Sequence, residues 1–239
     1  MNAHQTAMNI NSHHEAARYL YNEFYMGQVR MAVMRNVHTL RIADLLKDGP
    51  KSITELASLT QSHEQSLHRV MITAFQMGIF NMDGDNFSLN IVSDLLVTEA
   101  SGNMCGLMTF MCEEYMVSSL NNLGQTIASG NPSFLNFTGG QNFYDHLRDN
   151  DEQRRNFNAA MVCMDKTVSP LLATHYDWTG VSTLVDLGGG VGASCLHVLS
   201  ENKTVTSATV LEVQDVVDKA NDLQDLVIED QYLDGNKTL

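Results

Sequence analysis

The first half of the chain spaces its apolar residues as amphipathic helices do. Between Ala16 and Lys47 there is no proline and only one glycine, Gly27. Apolar side chains recur there every three or four positions, which is the period of one helix face. They are Leu20, Phe24, Val29, Val33, Val37, Leu40, Ile42, Leu45 and Leu46. The pattern predicts two helices, or one interrupted helix, with an apolar stripe wide enough to need a partner surface.

Two helix starts and a hairpin follow. Ser52 with Glu55, and Ser62 with Gln65, have the spacing of capping boxes that open helices. The second helix is predicted to direct Leu67, Val70, Met71, Phe75 and Ile79 toward a core. Asp83-Gly84 lies between two short alternating runs, which is typical of a β-hairpin. Helix, helix and hairpin in this order predict a winged helix.

Residues 92–178 have a mostly helical pattern, interrupted at Gly130-Asn131-Pro132 and at Gly139-Gly140. Two methionine-rich stripes occur there, Met104, Met108, Met111 and Met116 followed by Met161 and Met164. Methionine is flexible and polarizable, so such stripes can line a pocket for a flat apolar ligand. At helical spacing they more often belong to a core. Of the six, only Met161 is predicted to contribute to a binding site.

Composition excludes several classes of partner. The chain has 239 residues, 44% of them hydrophobic and 18% charged, as in an ordinary globular protein, and its formal net charge is −14. Such a surface repels phosphate backbones and anionic membranes. Between Ser62 and Gly78 the only Lys or Arg is Arg69, and the predicted wing carries Asp83 and Asp85. We therefore expect the winged helix to pack or dimerise, with neither nucleic acid nor membrane as a partner.

The cysteines and the start of the chain indicate a cytoplasmic protein. The four cysteines, Cys105, Cys112, Cys163 and Cys195, form no C-x-x-C pair and stand in apolar or helical surroundings, so we expect buried, reduced thiols. Residues 1–15 are polar and are predicted to be a flexible leader, in which His13-His14 is solvated. No run approaches 18 uncharged apolar residues, so no membrane span is predicted. No metal site is predicted.

A glycine cluster near residue 190 carries the candidate chemistry. An apolar run over residues 181–185 is followed by glycines at 188, 189, 190 and 192, and a helix-compatible segment begins at Ala193. This order predicts a strand, a tight turn and a helix start. Glycine allows positive φ and close approach of a ligand, and the first N–H groups of a helix point at it. The pattern indicates a nucleotide-like ligand.

Two nucleotide families compete for this turn. Gly188, Gly190 and Ala193 satisfy the loose dinucleotide pattern G-x-G-x-x-A, so an NAD(P)-dependent oxidoreductase is one alternative. Asp186 extends the pattern to D-x-G-x-G-x-G, which resembles the first motif of class I S-adenosylmethionine (SAM) dependent methyltransferases. Glu212 ends a second strand-like run over residues 208–213, where a carboxylate can accept hydrogen bonds from both ribose hydroxyls. Alternatively, Glu212 is an ordinary charged residue at a strand end.

The order of these parts resembles the small-molecule O-methyltransferases related to plant caffeate and bacterial polyketide or phenazine enzymes. The stretches that carry the resemblance are residues 42–46, 54–57, 142–147, 157–161, 185–192 and 211–217. The resemblance implies a mainly α winged-helix dimerisation domain over residues 16–100, a helical linker or substrate region over 101–178, and part of an α/β Rossmann-like SAM domain over 179–239. It also implies a homodimer, a small-molecule acceptor and SAM as cofactor. The cofactor-binding residues are predicted to be Asp186, Gly188, Gly190, Gly192, Glu212 and Met161.

The sequence departs from the family pattern in two places. The family shows Asp-Leu-Pro where this chain has Glu212-Val213-Gln214, and the longer Glu side chain changes the reach of the carboxylate. Only 47 of the 239 residues follow Gly192, whereas a complete SAM fold needs roughly a hundred more. The family's catalytic histidine lies in that later segment. No catalytic residue is therefore predicted in this chain, and the incomplete fold suggests a possible second polypeptide that completes it.

Three functions follow from this sequence. The first is a SAM-dependent O-methyltransferase of secondary metabolism, or its N-terminal subunit or fragment, that methylates a hydroxyl of a small aromatic or polyketide-like metabolite. The second is a non-catalytic dimerising scaffold. The third is the NAD(P)-dependent oxidoreductase, which is disfavoured because Asp186 has no role in pyrophosphate binding.

Overall fold

The chain divides into two units, with the boundary between Ser101 and Gly102. The computed structural model describes residues 10–190, 192–213 and 216. Within these residues, no helix is both long enough and apolar enough to cross a membrane.

The first unit begins with a long helical stretch. Its elements are α1 (His13–Leu20), a π-helical segment (Tyr21–Tyr25), α2 (Met26–Thr39) and α3 (Ile42–Leu46). The Ser12 hydroxyl accepts a hydrogen bond from the Glu15 backbone N–H at 3.2 Å and caps α1. The leader predicted for residues 1–15 is therefore too long, because this cap starts the helix at His13. Residues 1–9 of that leader lie outside the described residues.

The winged helix predicted from the sequence is present. It consists of β1 (Lys51–Ser52), α4 (Ile53–Thr60), α5 (Glu64–Gln76), β2 (Asn81–Asp83), β3 (Asn86–Ser88) and the short α6 (Ile91–Asp94). The three strands form an antiparallel sheet in the order β1-β3-β2. Gly84 has φ +57° in the hairpin turn, a conformation that glycine adopts without strain.

One of the two predicted capping boxes forms. The Ser52 hydroxyl accepts from the Glu55 backbone N–H at 3.2 Å, and the Glu55 carboxylate accepts from the Ser52 backbone N–H at 2.8 Å. The second box is wrong, since α5 begins at Glu64 with His63 as its N-cap and no side-chain cap bond. The Ser62 hydroxyl accepts instead from the Thr60 hydroxyl at 2.9 Å, so it does not cap the helix.

The core of the first unit contains most of the predicted apolar positions. Fully buried side chains include Val37, Ile42, Leu46, Leu56, Met71, Phe80 and Phe87. Phe75, predicted to face the core, is 38% exposed because it lies on the outer face of α5. At the start of the unit Leu20, Tyr21, Phe24 and Tyr25 are also exposed. The first helices thus present the unpartnered apolar stripe that the sequence predicts.

The second unit is a set of helices followed by a β-α-β segment. Its elements are α7 (Cys105–Cys112), α8 (Glu114–Asn121), α9 (Leu123–Ser129), α10 (Phe134–Thr138), α11 (Phe143–Asp149), α12 (Asp151–His175), β4 (Thr183–Leu187), α13 (Ala193–Glu201) and β5 (Ser207–Leu211). Strands β4 and β5 are parallel, with Thr183 opposite Ser207 and Leu187 opposite Leu211. A parallel pair joined by a helix is the repeating part of a Rossmann-like sheet.

Two apolar clusters hold the second unit together. One packs α12, α13 and the strands around Cys195, Val198, Leu199, Val205 and Trp178. The other gathers aromatic rings from α7, α8 and α10, and we call it the aromatic cluster: Phe110, Tyr115, Phe134 and Ala160, with Leu107, Met111, Met116, Phe143, Phe157 and Met161 packed against it. Gly106 allows α7 to approach α12 closely, because a Cβ there would lie 2.6 Å from the Ala159 carbonyl oxygen.

Candidate cofactor site

The glycine turn joins the end of β4 to the start of α13. Gly188, Gly190 and Gly192 have φ values of +74°, +58° and +84°, which residues with a Cβ rarely adopt. The Gly188 N–H donates to the Leu211 carbonyl at 2.8 Å, so the turn begins level with the end of β5. The prediction of a strand, a glycine turn and a helix is confirmed.

Asp186 lies beneath this turn. A Cβ placed on Gly189 would lie 2.6 Å from both Cγ and Oδ2 of Asp186. Gly189 is therefore required because it lacks a Cβ and so leaves room for the carboxylate, whereas Gly188 and Gly190 are required for their positive φ. No role was predicted for Gly189, although the run of three glycines from Gly188 to Gly190 was a signal for one.

Cys195, in the first turn of α13, faces the same carboxylate. Its Sγ lies 3.9 Å from Asp186 Oδ2 and donates a weak hydrogen bond to it. Burial, followed by the nearby charge of Asp186, raises the pKa of the Cys195 thiol to about 11. The thiol therefore keeps its proton at neutral pH and remains a donor. Three of the four cysteines are buried free thiols as predicted, whereas Cys112 is only half-buried.

Glu212 reaches the turn from the end of β5. Its Oε2 accepts a hydrogen bond from the Gly190 N–H at 3.1 Å, and its Oε1 accepts one from the Val213 N–H at 2.8 Å. The parallel pairing of β4 and β5 puts both strand ends at one edge, so the acid and the glycines meet there. The structure thus brings together Asp186, Glu212 and the glycine turn.

Met161 lies on α12, half-buried against the aromatic cluster. One helical turn later on the same helix is Asp165, which the sequence analysis did not assign. Burial raises the pKa of the Asp165 carboxyl, the charge of Asp186 raises it further, and His197 acts in the opposite direction. The face of α12 that carries Met161 therefore continues to an acid that interacts electrostatically with Asp186.

This arrangement of carboxylates and backbone N–H groups fits a nucleoside ligand. Carboxylates at a strand end accept hydrogen bonds from sugar hydroxyls, and backbone N–H groups around a glycine turn donate to a ligand. In the part of the chain that the structure describes, no three His, Cys, Asp or Glu side chains are grouped to hold a metal ion.

Two family models match the chain, in the order of its two units. Residues 22–99 match the O-methyltransferase dimerisation domain, and residues 120–233 match the O-methyltransferase domain. The first match covers the winged helix together with α2 and α3. The second covers the glycine turn and Glu212.

Individual relatives agree with these matches. The chain is 28% identical over 210 residues to a mitomycin biosynthesis 6-O-methyltransferase of Streptomyces lavendulae, covering 87% of this chain and 60% of the relative. It is 30% identical over 223 residues to O-methyltransferase 10 of Dictyostelium discoideum, covering 82% of this chain and 51% of the relative. The chain thus spans little more than half the length of these curated relatives.

A solved structure gives the same result for the fold. The 8-amino-8-demethylriboflavin dimethyltransferase of Streptomyces davawensis superposes with a TM-score of 0.77 at 25% identity, over 94% of this chain and 66% of that one. These similarities favour neither the scaffold nor the NAD(P)-dependent alternative. With the O-methyltransferase dimerisation domain and the O-methyltransferase domain matched in order and together covering most of the chain, this protein belongs to the O-methyltransferase family.

Proposed function

We propose that this chain carries the dimerisation and cofactor-binding parts of a SAM-dependent O-methyltransferase that methylates a hydroxyl of a small aromatic or polyketide-like metabolite. The observation that carries the proposal is the hydrogen bond from the Gly190 N–H to Glu212 Oε2. It supports a single crevice in which a strand-end carboxylate and a glycine turn act on one ligand.

The residues at the crevice fit SAM. Among the described residues the space beside Gly188 and Gly190 is open, because a Cβ at either position would meet none of their atoms within 4 Å. Glu212 would accept hydrogen bonds from the ribose hydroxyls, and Asp186 with the turn would line the methionine end. Bound SAM would supply the electrophilic methyl group. This chain's own contribution is to bind and orient the cofactor, since positioning supplies much of the rate in a displacement reaction.

The acceptor class rests on the relatives and on the aromatic cluster. Relatives include enzymes named for mitomycin, a dihydroxy-methylnaphthoate and phenazine. In this chain, Met161 joins the aromatic cluster, and ring faces with a methionine side chain suit a flat apolar acceptor. The acceptor is therefore proposed to bind on the α12 side of the crevice.

The first unit is proposed to form a homodimer. Phe24 is 66% exposed, and Leu20, Tyr21 and Tyr25 around it are also exposed. Contiguous exposed apolar side chains of this size mark interaction surfaces. A second copy of the chain is the expected partner, because the matched domain is a dimerisation domain. Domain boundaries at residues 16–100, 101–178 and 179–239 remain part of this proposal.

A further polypeptide is proposed to complete the sheet of the second unit. Leu187 is 73% exposed and Leu211, its neighbour across the two strands, is 62% exposed. Parallel sheets are normally covered on both faces. Added strands and helices would cover these residues. They would also carry the catalytic base, which is not assigned to any residue of this chain.

Titration calorimetry with SAM and with S-adenosylhomocysteine tests the proposal. The protein should bind both, and Glu212→Gln should weaken both by about tenfold, since a charge-assisted hydrogen bond contributes about 1.5–3 kcal/mol. Glu201→Gln, at the end of α13, is a matched control with the same change of charge. Absence of binding at millimolar ligand, with and without a co-purified partner, would remove the enzymatic proposal.

A further inference from the structure

The position of Asp165 follows from how α12 packs against α13. Ser169 and Ser194 share a hydrogen bond at 2.8 Å, which fixes α12 to the first turn of α13. Asn202, at the end of α13, donates to the Ala173 carbonyl at 2.9 Å. The two helices therefore run in the same general direction. Asp165 is one turn before Ser169, about 6 Å back along α12, so it lies beyond the start of α13, on the side of the glycine turn.

No Lys or Arg side chain among the described residues pairs with Asp165 at that position. Among the described residues, neither Asp165 nor Asp186 forms a salt bridge with Lys or Arg, and no hydrogen bond to Asp165 is present. The groups that act on it are Asp186 and His197, with opposite effects on its pKa. Two half-buried carboxylates near each other repel, and a bound cation between them would relieve the repulsion.

The proposed cofactor offers such a cation. With its ribose at Glu212, as the proposed function requires, its methionine part would be held by Asp186 and the glycine turn. That part ends in an α-carboxylate and an α-ammonium group, and the ammonium is the group that an acid would bind. We propose that the Asp165 carboxylate binds the α-ammonium group of the methionine end of SAM, opposite the ribose carboxylate. This inference rests on the proposed function and adds a cofactor-binding residue from the helical segment.

A direct contact between Asp165 and the ammonium group can be distinguished by measurement from a purely structural role of Asp165. The start of α13 has a positive partial charge, so an acid nearby also stabilises the fold. In that case removing the charge would affect all nucleoside ligands equally, through the turn. A direct contact with the ammonium group affects only ligands that carry it.

Three ligands separate these cases in calorimetric titrations: SAM, S-adenosylhomocysteine and 5′-methylthioadenosine, which lacks the amino-acid end. Asp165→Asn should weaken SAM and S-adenosylhomocysteine by about tenfold each and leave methylthioadenosine within twofold. Glu152→Gln, an exposed acid in the first turn of the same helix, is the matched control and should change none of them. Asp165→Glu, which keeps the charge, should restore most of the affinity.

Other outcomes would overturn the inference. Loss for SAM alone would mean that Asp165 faces the sulfonium, and equal loss for all three ligands would mean a structural role. If Asp165→Asn does not fold, the wild-type protein still gives a test. It should bind S-adenosylhomocysteine about tenfold more tightly than the analogue without the α-amino group, and equal affinity would refute the contact. If the wild-type protein binds none of the ligands, the proposed function itself fails.

Discussion

Gly189 is the position at which one methyl group should have the most direct effect on the site. A Cβ there would lie 2.6 Å from Cγ and Oδ2 of Asp186 and 3.0 Å from its Cβ. The carboxylate would have to move, and its contact with Cys195 would be lost. Overpacking of this kind costs about 1–3 kcal/mol. We expect Gly189→Ala to lower the free energy of unfolding by about 1–2 kcal/mol and to weaken any ligand at the turn.

A double-mutant cycle isolates this contact. Asp186→Ala removes Cγ and Oδ2, so Gly189→Ala should cost about 1 kcal/mol less in that background. Gly190→Ala is the matched control. A Cβ there would meet no atom of the described residues within 4 Å, but φ is +58°. Its cost of about 1–2 kcal/mol therefore comes from backbone strain and should be the same in both backgrounds.

Urea unfolding followed by tryptophan fluorescence measures these differences. Trp178 is the only tryptophan of the chain, and it is buried in the cluster that contains Cys195. Its signal therefore reports the unit that carries the turn. If Gly189→Ala costs the same with and without the Asp186 carboxylate, the two residues are not in contact and the account of this turn is refuted.

Three further predictions concern other parts of the chain. Ser52→Ala should destabilise the first unit by about 1 kcal/mol, because the capping box is lost. Ser62→Ala should change stability by less than about 0.5 kcal/mol. Equal effects of the two variants in thermal unfolding would contradict the assigned caps. Tyr115→Phe should leave stability unchanged or raise it by up to about 1 kcal/mol, because the Tyr115 hydroxyl is buried with no hydrogen-bond partner among the described residues. Burial also raises the pKa of Tyr115 to about 12. A clear loss of stability in denaturant titration would reveal a partner. At pH 8 a thiol reagent should modify the half-buried Cys112 before Cys195, because burial raises the pKa of the Cys195 thiol to about 11. Peptide mapping by mass spectrometry that found Cys195 modified first would contradict its burial.

Local sequence signals were sufficient for much of the fold. The capping box at Ser52 and the hairpin at Gly84 depend on side chains a few residues apart, so their patterns predict them directly. The Ser62 box does not form because α5 begins after His63, one residue later than predicted, and the Ser62 hydroxyl accepts from Thr60 instead. Hydrophobic period alone also misplaced Phe75, because the width of the buried face depends on what packs against the helix.

The candidate site was predictable where it depends on chain order and not where it depends on packing between distant elements. Asp186, the glycines and Glu212 follow from two strand ends that a parallel pairing brings together. The contribution of Asp165 depends on the direction in which α12 crosses α13, which Ser169 and Ser194 fix. No spacing in the sequence encodes that crossing.

The most direct test of the central claim is a crystal structure of the protein with S-adenosylhomocysteine. The account predicts that the nucleoside lies against the turn of Gly188, Gly190 and Gly192, with both ribose hydroxyls within hydrogen-bond distance of the Glu212 carboxylate. A ligand bound elsewhere, or a Glu212 side chain that remains on the Gly190 N–H with the sugar out of its reach, would contradict it.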